Sequence, residues 1–347
     1  MTARRSTPAL AAGFLFAAAT ALQAQTPALP PVTVGAGMQT SFLTNTPSGG
    51  NSTSSFALNS IRLYVNGPVT DKIKFTFNTE YDGASNKVGV LDAVAQFGYS
   101  DQVNFWVGRF LPPSDRANLY GPYYAHHWAV YTDSIQDGYP TVATGRDNGV
   151  AYWGQFGMAK LQVGAFDGAS ATGKTNVIGA GRFMVDFWDP EPGYYLNGTF
   201  YGDKNILAVG VAGQVQDGNT AFSADLLVEK KLPMGGSVSF ESEFARYDKL
   251  GGWNAQYGLD QGAYGLVGYL FPNMLGMGRV EVLGKYAKAQ FSQSAALPNY
   301  NQGTTEVDVN YLIKQFNARV MVFFKNTSFS AVQTDFKQFG VGVQLQM

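Results

Sequence analysis

The chain has 347 residues, a formal net charge of −1, no cysteine, and 14% charged residues, well below the usual quarter. The missing cysteines exclude a disulfide scaffold, thiolate-bound zinc, an iron–sulfur cluster and covalently attached c-type haem. The near-neutral charge offers nothing to attract nucleic acid or an anionic membrane surface; glycine is high at 41 and aromatics make up 14%.

The first element is a leader. Arg4 and Arg5 precede an uncharged apolar run at 10–22 (LAAGFLFAAATAL), and small residues end at Ala24, just before QTPALPP. A basic start, a short apolar stretch and a small-residue cleavage site describe a secretory signal. The run falls short of the roughly 20 residues needed to span a bilayer. The expected division is therefore a signal peptide at 1–24 and one mature domain at 25–347. Losing Arg4 and Arg5 brings the net charge to −3. No later run of 18 apolar residues follows, so no transmembrane helix is expected.

Alternating segments then recur to the end of the chain. Ile61, Leu63 and Val65 share one side of the second. In 71–83 (DKIKFTFNTEYDG), Phe75 and Phe77 take one face, while Lys72, Lys74, Asn78, Glu80 and Asp82 take the other. Leu91, Ala93, Ala95, Phe97 and Tyr99 line one side of the next. Further on, Leu207, Val209, Val211 and Val215 form an apolar set, and Phe222, Ala224, Leu226 and Val228 oppose Ser223, Asp225, Leu227 and Glu229. Val307, Val309, Tyr311 and Ile313 oppose Glu306, Asp308 and Asn310; Ala318, Val320, Val322 and Phe324 oppose Arg319 and Lys325. The period of two sends successive side chains to opposite faces.

The breaks alternate between short (67–71, 100–102, 232–236, 314–317) and long (45–55, 168–176, 247–258, 294–301). Segments near the 9–11 residues that cross a bilayer tilted, with short turns at one end and long loops at the other, predict an all-β fold. It is a transmembrane antiparallel β-barrel of about 16 strands. The rival is a secreted β-sandwich, which the charge-free outer face disfavours. The last segment, with Phe339, Val341, Val343, Leu345 and Met347 on one face, is expected to close the barrel against the first strand. By this reading Phe75 and Phe77 meet lipid. Lys72, Lys74, Glu80, Glu241, Glu243, Asp308 and Arg319 face a water-filled lumen. The stretch 189–204 (DPEPGYYLNGTFYGDK) is too long for the short turn expected there, and reads either as a strand extension or as a plug-like segment.

One break carries the functional expectation. Residues 111–145, after the fifth strand, hold Tyr120, Tyr123, Tyr124, Trp128, Tyr131 and Tyr139, which demand packing partners. The segment is expected to be the third external loop, folded inward as a constriction. Trp106 and Phe110 would then face lipid, and Phe105 and Val107 would point inward onto the loop. Asp115, Arg116, His126, His127, Asp133 and Asp137, with Arg109 and Arg146 at the two ends, become the residues expected to set size limit and ion preference, because charges facing a narrow low-dielectric path act strongly on a passing ion. Each of them serves equally well as a structural ion pair. Adjacent histidines on extended chain point apart, and a metal needs three or four ligands, so no metal and no cofactor are expected. A free histidine would instead confer a pH effect on conductance.

The runs 106–128 (WVGRFLPPSDRANLYGPYYAHHW), 185–195 (VDFWDPEPGYY), 203–211 (DKNILAVGV) and 309–321 (VNYLIKQFNARVM) resemble the phosphate-selective porin O and P family of outer-membrane proteins. The resemblance implies a 16-stranded homotrimeric barrel in the outer membrane of a Gram-negative bacterium, surrounded by lipid and passing small solutes or ions. Basic residues line the channel in that family. Here Glu241, Glu243, Glu306 and Asp308 oppose a basic ladder. Two other classes stand beside this one. A barrel hydrolase lacks a nucleophile motif such as GxSxG. A sheath around a separate partner such as a cytochrome would need the space assigned to the 111–145 loop.

Overall fold

The structure is a computed structural model that describes residues 31–128, 133–136, 138–139, 145–168, 176–254 and 256–347. The predicted signal peptide at 1–24 lies outside them. The barrel unit is Val32–Met347.

Sixteen strands run in chain order: β1 (Thr33–Pro47), β2 (Thr53–Pro68), β3 (Ile73–Asp82), β4 (Lys87–Ser100), β5 (Val103–Phe110), β6 (Asp147–Phe156), β7 (Ala159–Phe166), β8 (Ile178–Asp186), β9 (Ile206–Gln216), β10 (Asn219–Lys231), β11 (Ser237–Asp248), β12 (Leu259–Leu275), β13 (Gly278–Ser292), β14 (Tyr300–Lys314), β15 (Ala318–Phe329) and β16 (Phe336–Gln346). Every strand pairs antiparallel with its sequence neighbours, and β16 returns to β1 from Gly37↔Gln346 to Pro47↔Phe336, so the sheet closes. Closure leaves no strand edge with unpaired N–H and C=O groups, which hydrocarbon would not tolerate.

The distribution of side chains is inverted relative to a soluble protein. Along β11 the buried positions are Ser237, Ser239, Glu241, Glu243, Ala245 and Tyr247, and the exposed ones include Val238, Phe240 and Phe244. On β14 and β15, Glu306, Asp308, Arg319 and Lys325 are buried while Val307, Val309, Val322 and Phe324 are exposed. Charges inside and bare aliphatic and aromatic groups outside would be ruinous in water. They suit a barrel whose outer face meets lipid. This removes the β-sandwich alternative.

Turn chemistry fits the ends. Between β9 and β10 only Asp217 and Gly218 intervene, with φ of 52° and 81°. Two consecutive left-handed residues make the tight hairpin turn that an Asp-Gly pair favours. The end carrying the longer loops therefore also has a two-residue turn. The break expected at 45–55 shrinks to 48–52, because β1 and β2 extend into it.

Two parity expectations fail in the first third of the barrel. A register shift between Asn78 and Thr79 leaves Leu91 as the extra residue on β4; Leu91 and Asp92 are both buried. Leu91 thus leaves the outward set to which Ala93 and Ala95 belong. On β5 the faces are the reverse of the expectation. Trp106 and Phe110 are buried, and Phe105 and Val107 are exposed. The physical reason is an interior partner: Trp106 stacks on Tyr194 with ring centroids 4.4 Å apart, and Phe110 meets Phe166 and Tyr194 edge-on.

Candidate pore interior

Two segments enter the barrel. One follows β5: α1 (Arg116–Tyr120) and a 3-10 turn at Pro122–Tyr124 lead to His126 and His127, all but Pro122 and the half-exposed Tyr124 buried. Asp115 caps α1 by accepting from the Asn118 N–H at 2.9 Å, the usual task of a short acidic residue before a helix. The other segment, 187–205, joins β8 to β9 at the opposite end, where the remaining links are short turns. Glu191, Tyr194, Leu196, Thr199 and Tyr201 within it are buried. Of the two readings left open for 189–204, the plug-like one matches: no strand is assigned there, and its backbone meets the first segment.

The contact between the segments is backbone as well as side chain. The Gly198 N–H donates to the Tyr124 carbonyl at 2.9 Å, the Leu196 N–H to the Leu119 carbonyl at 3.4 Å, and the Tyr194 hydroxyl to the Leu111 carbonyl at 2.9 Å. A side chain at Gly198 would put its Cβ 2.8 Å from the His126 nitrogen. Arg116 donates to Glu191 at 2.5 and 3.1 Å, to the Asn197 carbonyl at 2.9 Å and to Asp225 at 3.3 Å. From the wall, Arg182 on β8 reaches over Gly210 on β9 to grip Asp225 on β10 at 2.6 and 2.8 Å. The Glu229 carboxylate on β10 accepts from the Phe200 and Gly202 N–H groups and the Thr199 hydroxyl, so it holds 199–202 against the wall. Such charge-assisted bonds are the strong ones.

The first segment is moored to the far wall. Arg319 on β15 donates to the Ala125 carbonyl at 2.7 Å, the Tyr201 hydroxyl at 3.0 Å and Gln344 at 2.8 Å. His126 Nε2 donates to Glu281 at 2.8 Å, and Asn310 also donates to Glu281. His127 Nε2 accepts from Lys285 at 3.0 Å, and Lys285 pairs with Asp133 at 2.5 Å. Burial opposes a charge on His126, but Glu281, reinforced by Glu229 and Glu241, outweighs it and raises its pKa above the ordinary value. Burial, Lys285 and Lys325 push His127 well below that value. Neighbouring histidines thus shift in opposite directions because one faces a carboxylate and the other two ammonium groups. Tyr123 fits against Gly37 on β1, and Trp128 against Gly342 on β16; a Cβ at these glycines would come within 2.7 and 2.6 Å of the rings.

The site residues expected from sequence fall into three groups. Asp115, Arg116, His126, His127, Asp133 and Arg146 are buried, Arg146 beside Asp92 at 3.3 Å. Arg109 is a correction. It shares the outward parity of Phe105 and Val107, and donates to Asn148 at 2.9 Å and to the Val90 carbonyl at 3.4 Å. Asp137 lies outside the described residues. Glu80, Glu241, Glu243, Asp308 and Arg319 are buried on inward-facing strand positions, Glu80 with Arg62 at 2.8 Å and Glu241 with the hydroxyls of Tyr120 and Tyr264. Lys74 is exposed on the face of β3 that carries Glu80. Lys72 is a second correction. It precedes β3, is exposed in the turn, and donates to the Tyr99 carbonyl at 3.3 Å, so strand parity does not govern it.

The interior residues not singled out from sequence include Arg62, Arg182, Glu191, Glu281 and Lys285. Arg62, between exposed Ile61 and Leu63, was marked by alternation alone. Lys285 and Glu191 carried no such mark, because their roles come from partners 158 and 75 residues away.

A closed sheet with a charged interior, an apolar exterior and segments folded inside is the architecture of outer-membrane porins, and solved structures agree. OprB of Pseudomonas putida superposes with a TM-score of 0.63 at 10% identity over 91% of this chain and 94% of its own. An anion-selective porin from Comamonas acidovorans gives 0.57 at 13% over 91% and 99%. OmpT of Vibrio cholerae, solved in a trimer form, gives 0.56 at 12% over 91% and 99%. No family model matches the sequence, and no curated protein matches it. The chain therefore shares the fold of outer-membrane porins.

Proposed function

We propose that this protein is an outer-membrane porin, a channel for passive diffusion of small hydrophilic solutes or ions, acting without enzymatic chemistry. The observation that carries the reading is the inverted barrel: charged and polar groups such as Glu241, Asp308 and Arg319 inside, and apolar groups such as Phe240, Val267 and Val309 outside. A lumen lined with ionisable groups serves water and ions; it has no use in a packed core. The two inner segments narrow the lumen to a selective path.

The resemblance to the phosphate-selective family supports a specialised porin, and the trimer form of the Vibrio cholerae OmpT supports a homotrimer. The sheath reading is disfavoured because 111–128 and 187–205 take the space a partner would need. A hydrolase is disfavoured because His126 and His127 are engaged by Glu281 and Lys285, so neither ring nitrogen is set against a serine.

The test is planar-bilayer recording with the purified mature protein, folded in detergent. Stepwise channel openings support the porin. A folded protein that never conducts overturns it in favour of the sheath or the hydrolase. Cross-linking in detergent, resolved by mass, tests the trimer.

A further inference from the structure

The charged interior is unbalanced. Among the described buried residues there are fifteen carboxylates against eight lysines and arginines. Several carboxylates are matched by a cation, as Glu80 is by Arg62 and Glu191 by Arg116. Others accept from neutral donors, as Glu229 does from backbone N–H groups and Glu241 from two tyrosine hydroxyls. Glu243 and Asp308 stand apart. Neither carboxylate accepts a hydrogen bond through either oxygen, although Glu243 is 2% and Asp308 1% exposed.

The surroundings of Glu243 make the imbalance local. It sits directly across the β10–β11 ladder from Asp225. Asp115, Asp225 and Glu241 all repel its charge, and Arg182, already committed to Asp225, is the cation that offsets them. Like charges in cross-strand positions are destabilising, and a buried carboxylate without a donor forfeits its hydration with nothing in return. The same wall already accepts a cation. Tyr264, the cross-strand partner of Glu243 on β12, carries the Lys285 ammonium over its ring face at 4.4 Å. No group of three or more His, Asp or Glu among the described residues has the geometry to retain a metal ion.

We propose, resting on the porin reading, that the solute class is cationic and that Glu243 is the specificity-determining carboxylate. A small monovalent cation supplies the positive charge that the Asp115, Asp225, Glu241 and Glu243 cluster is short of, with Asp308, which faces the Glu306 carboxylate on the same side of β14, as a second acidic step. A chloride or phosphate meets the same four carboxylates as a barrier. The proposal runs against the basic channel implied by the family resemblance.

The test is the reversal potential across a planar bilayer under a KCl gradient, for the mature protein and for Glu243→Gln, which keeps shape and removes charge. The expected result is potassium preference in the parent, reduced about three- to tenfold in the variant, with unitary openings retained. Chloride preference in the parent overturns the proposal. So does an unchanged permeability ratio in a conducting Glu243→Gln, which would mark the carboxyl as neutral and structural. If Glu243→Gln does not fold, Asp308→Asn is read by the same two criteria. Failure of the folded parent to conduct at all overturns the porin reading itself, and the cation reading with it.

Discussion

Arg116 and Glu191 meet at 2.5 Å inside the barrel although the segments that bear them enter from opposite ends. Both are almost completely buried, and Arg116 also reaches Asp225. The contact ties the segment after β5 to the segment before β9, and both to the wall.

Removing one partner of this cluster leaves a buried charge unmatched. Arg116→Ala is expected to destabilise the protein by about 3–5 kcal/mol, read from the denaturant midpoint in detergent. The double variant Arg116→Ala with Glu191→Ala should recover part of that loss. A double-variant loss equal to the sum of the two single losses would show that the pair is not coupled.

Gly198 tests the backbone contact on its own. Its Cβ position lies 2.8 Å from the His126 nitrogen and 3.1 Å from the Tyr124 carbonyl oxygen, so Gly198→Ala must push the two segments apart. The barrel hydrogen bonds do not depend on it. The expected outcome is a larger unitary conductance with unchanged strand content by circular dichroism; unchanged conductance would place the contact away from the ion path.

The two faces of β5 can be told apart by fluorescence. In single-tryptophan proteins reconstituted with brominated lipid, Trp106 should escape quenching because it stacks on Tyr194, whereas Phe105→Trp should be quenched strongly. The opposite pattern would restore the parity first expected. On the outer wall, Val267 is 59% exposed, and Val267→Lys should cost about 2–4 kcal/mol near the bilayer midplane, against little change for the same substitution in an exposed loop.

His126 and His127 give opposing pH dependence. The folded pKa of His126 is raised, so its contribution is full below the unfolded value of about 6.5 and is lost as pH rises through the folded value. The folded pKa of His127 is lowered, so its contribution is full above about 6.5 and is lost as pH falls toward the folded value. Thermal midpoints across the pH range should show His126→Gln flattening the alkaline decline and His127→Gln the acid decline. A swap of these assignments would contradict the Glu281 and Lys285 contacts.

Much of this protein is readable residue by residue. Alternation along 304–315 and 317–325 places Glu306, Asp308, Arg319 and Lys325 on one face, and the structure buries all four. The apolar face of the final segment, Phe339 to Leu345, marks the strand that closes the sheet. Period-two patterning reports a local fact, which of two faces a side chain takes, and a membrane barrel sets lipid against water across that choice.

What the sequence could not determine depends on events without a local period. One extra residue at Leu91 reverses parity along β4. Trp106 turns inward because Tyr194 waits there, 88 residues on, and Arg109 consequently turns out. Which carboxylate finds an arginine and which is left like Glu243 follows from strand register and from where two inserted segments meet. Those are long-range packing outcomes, and only the closed tertiary structure decides them.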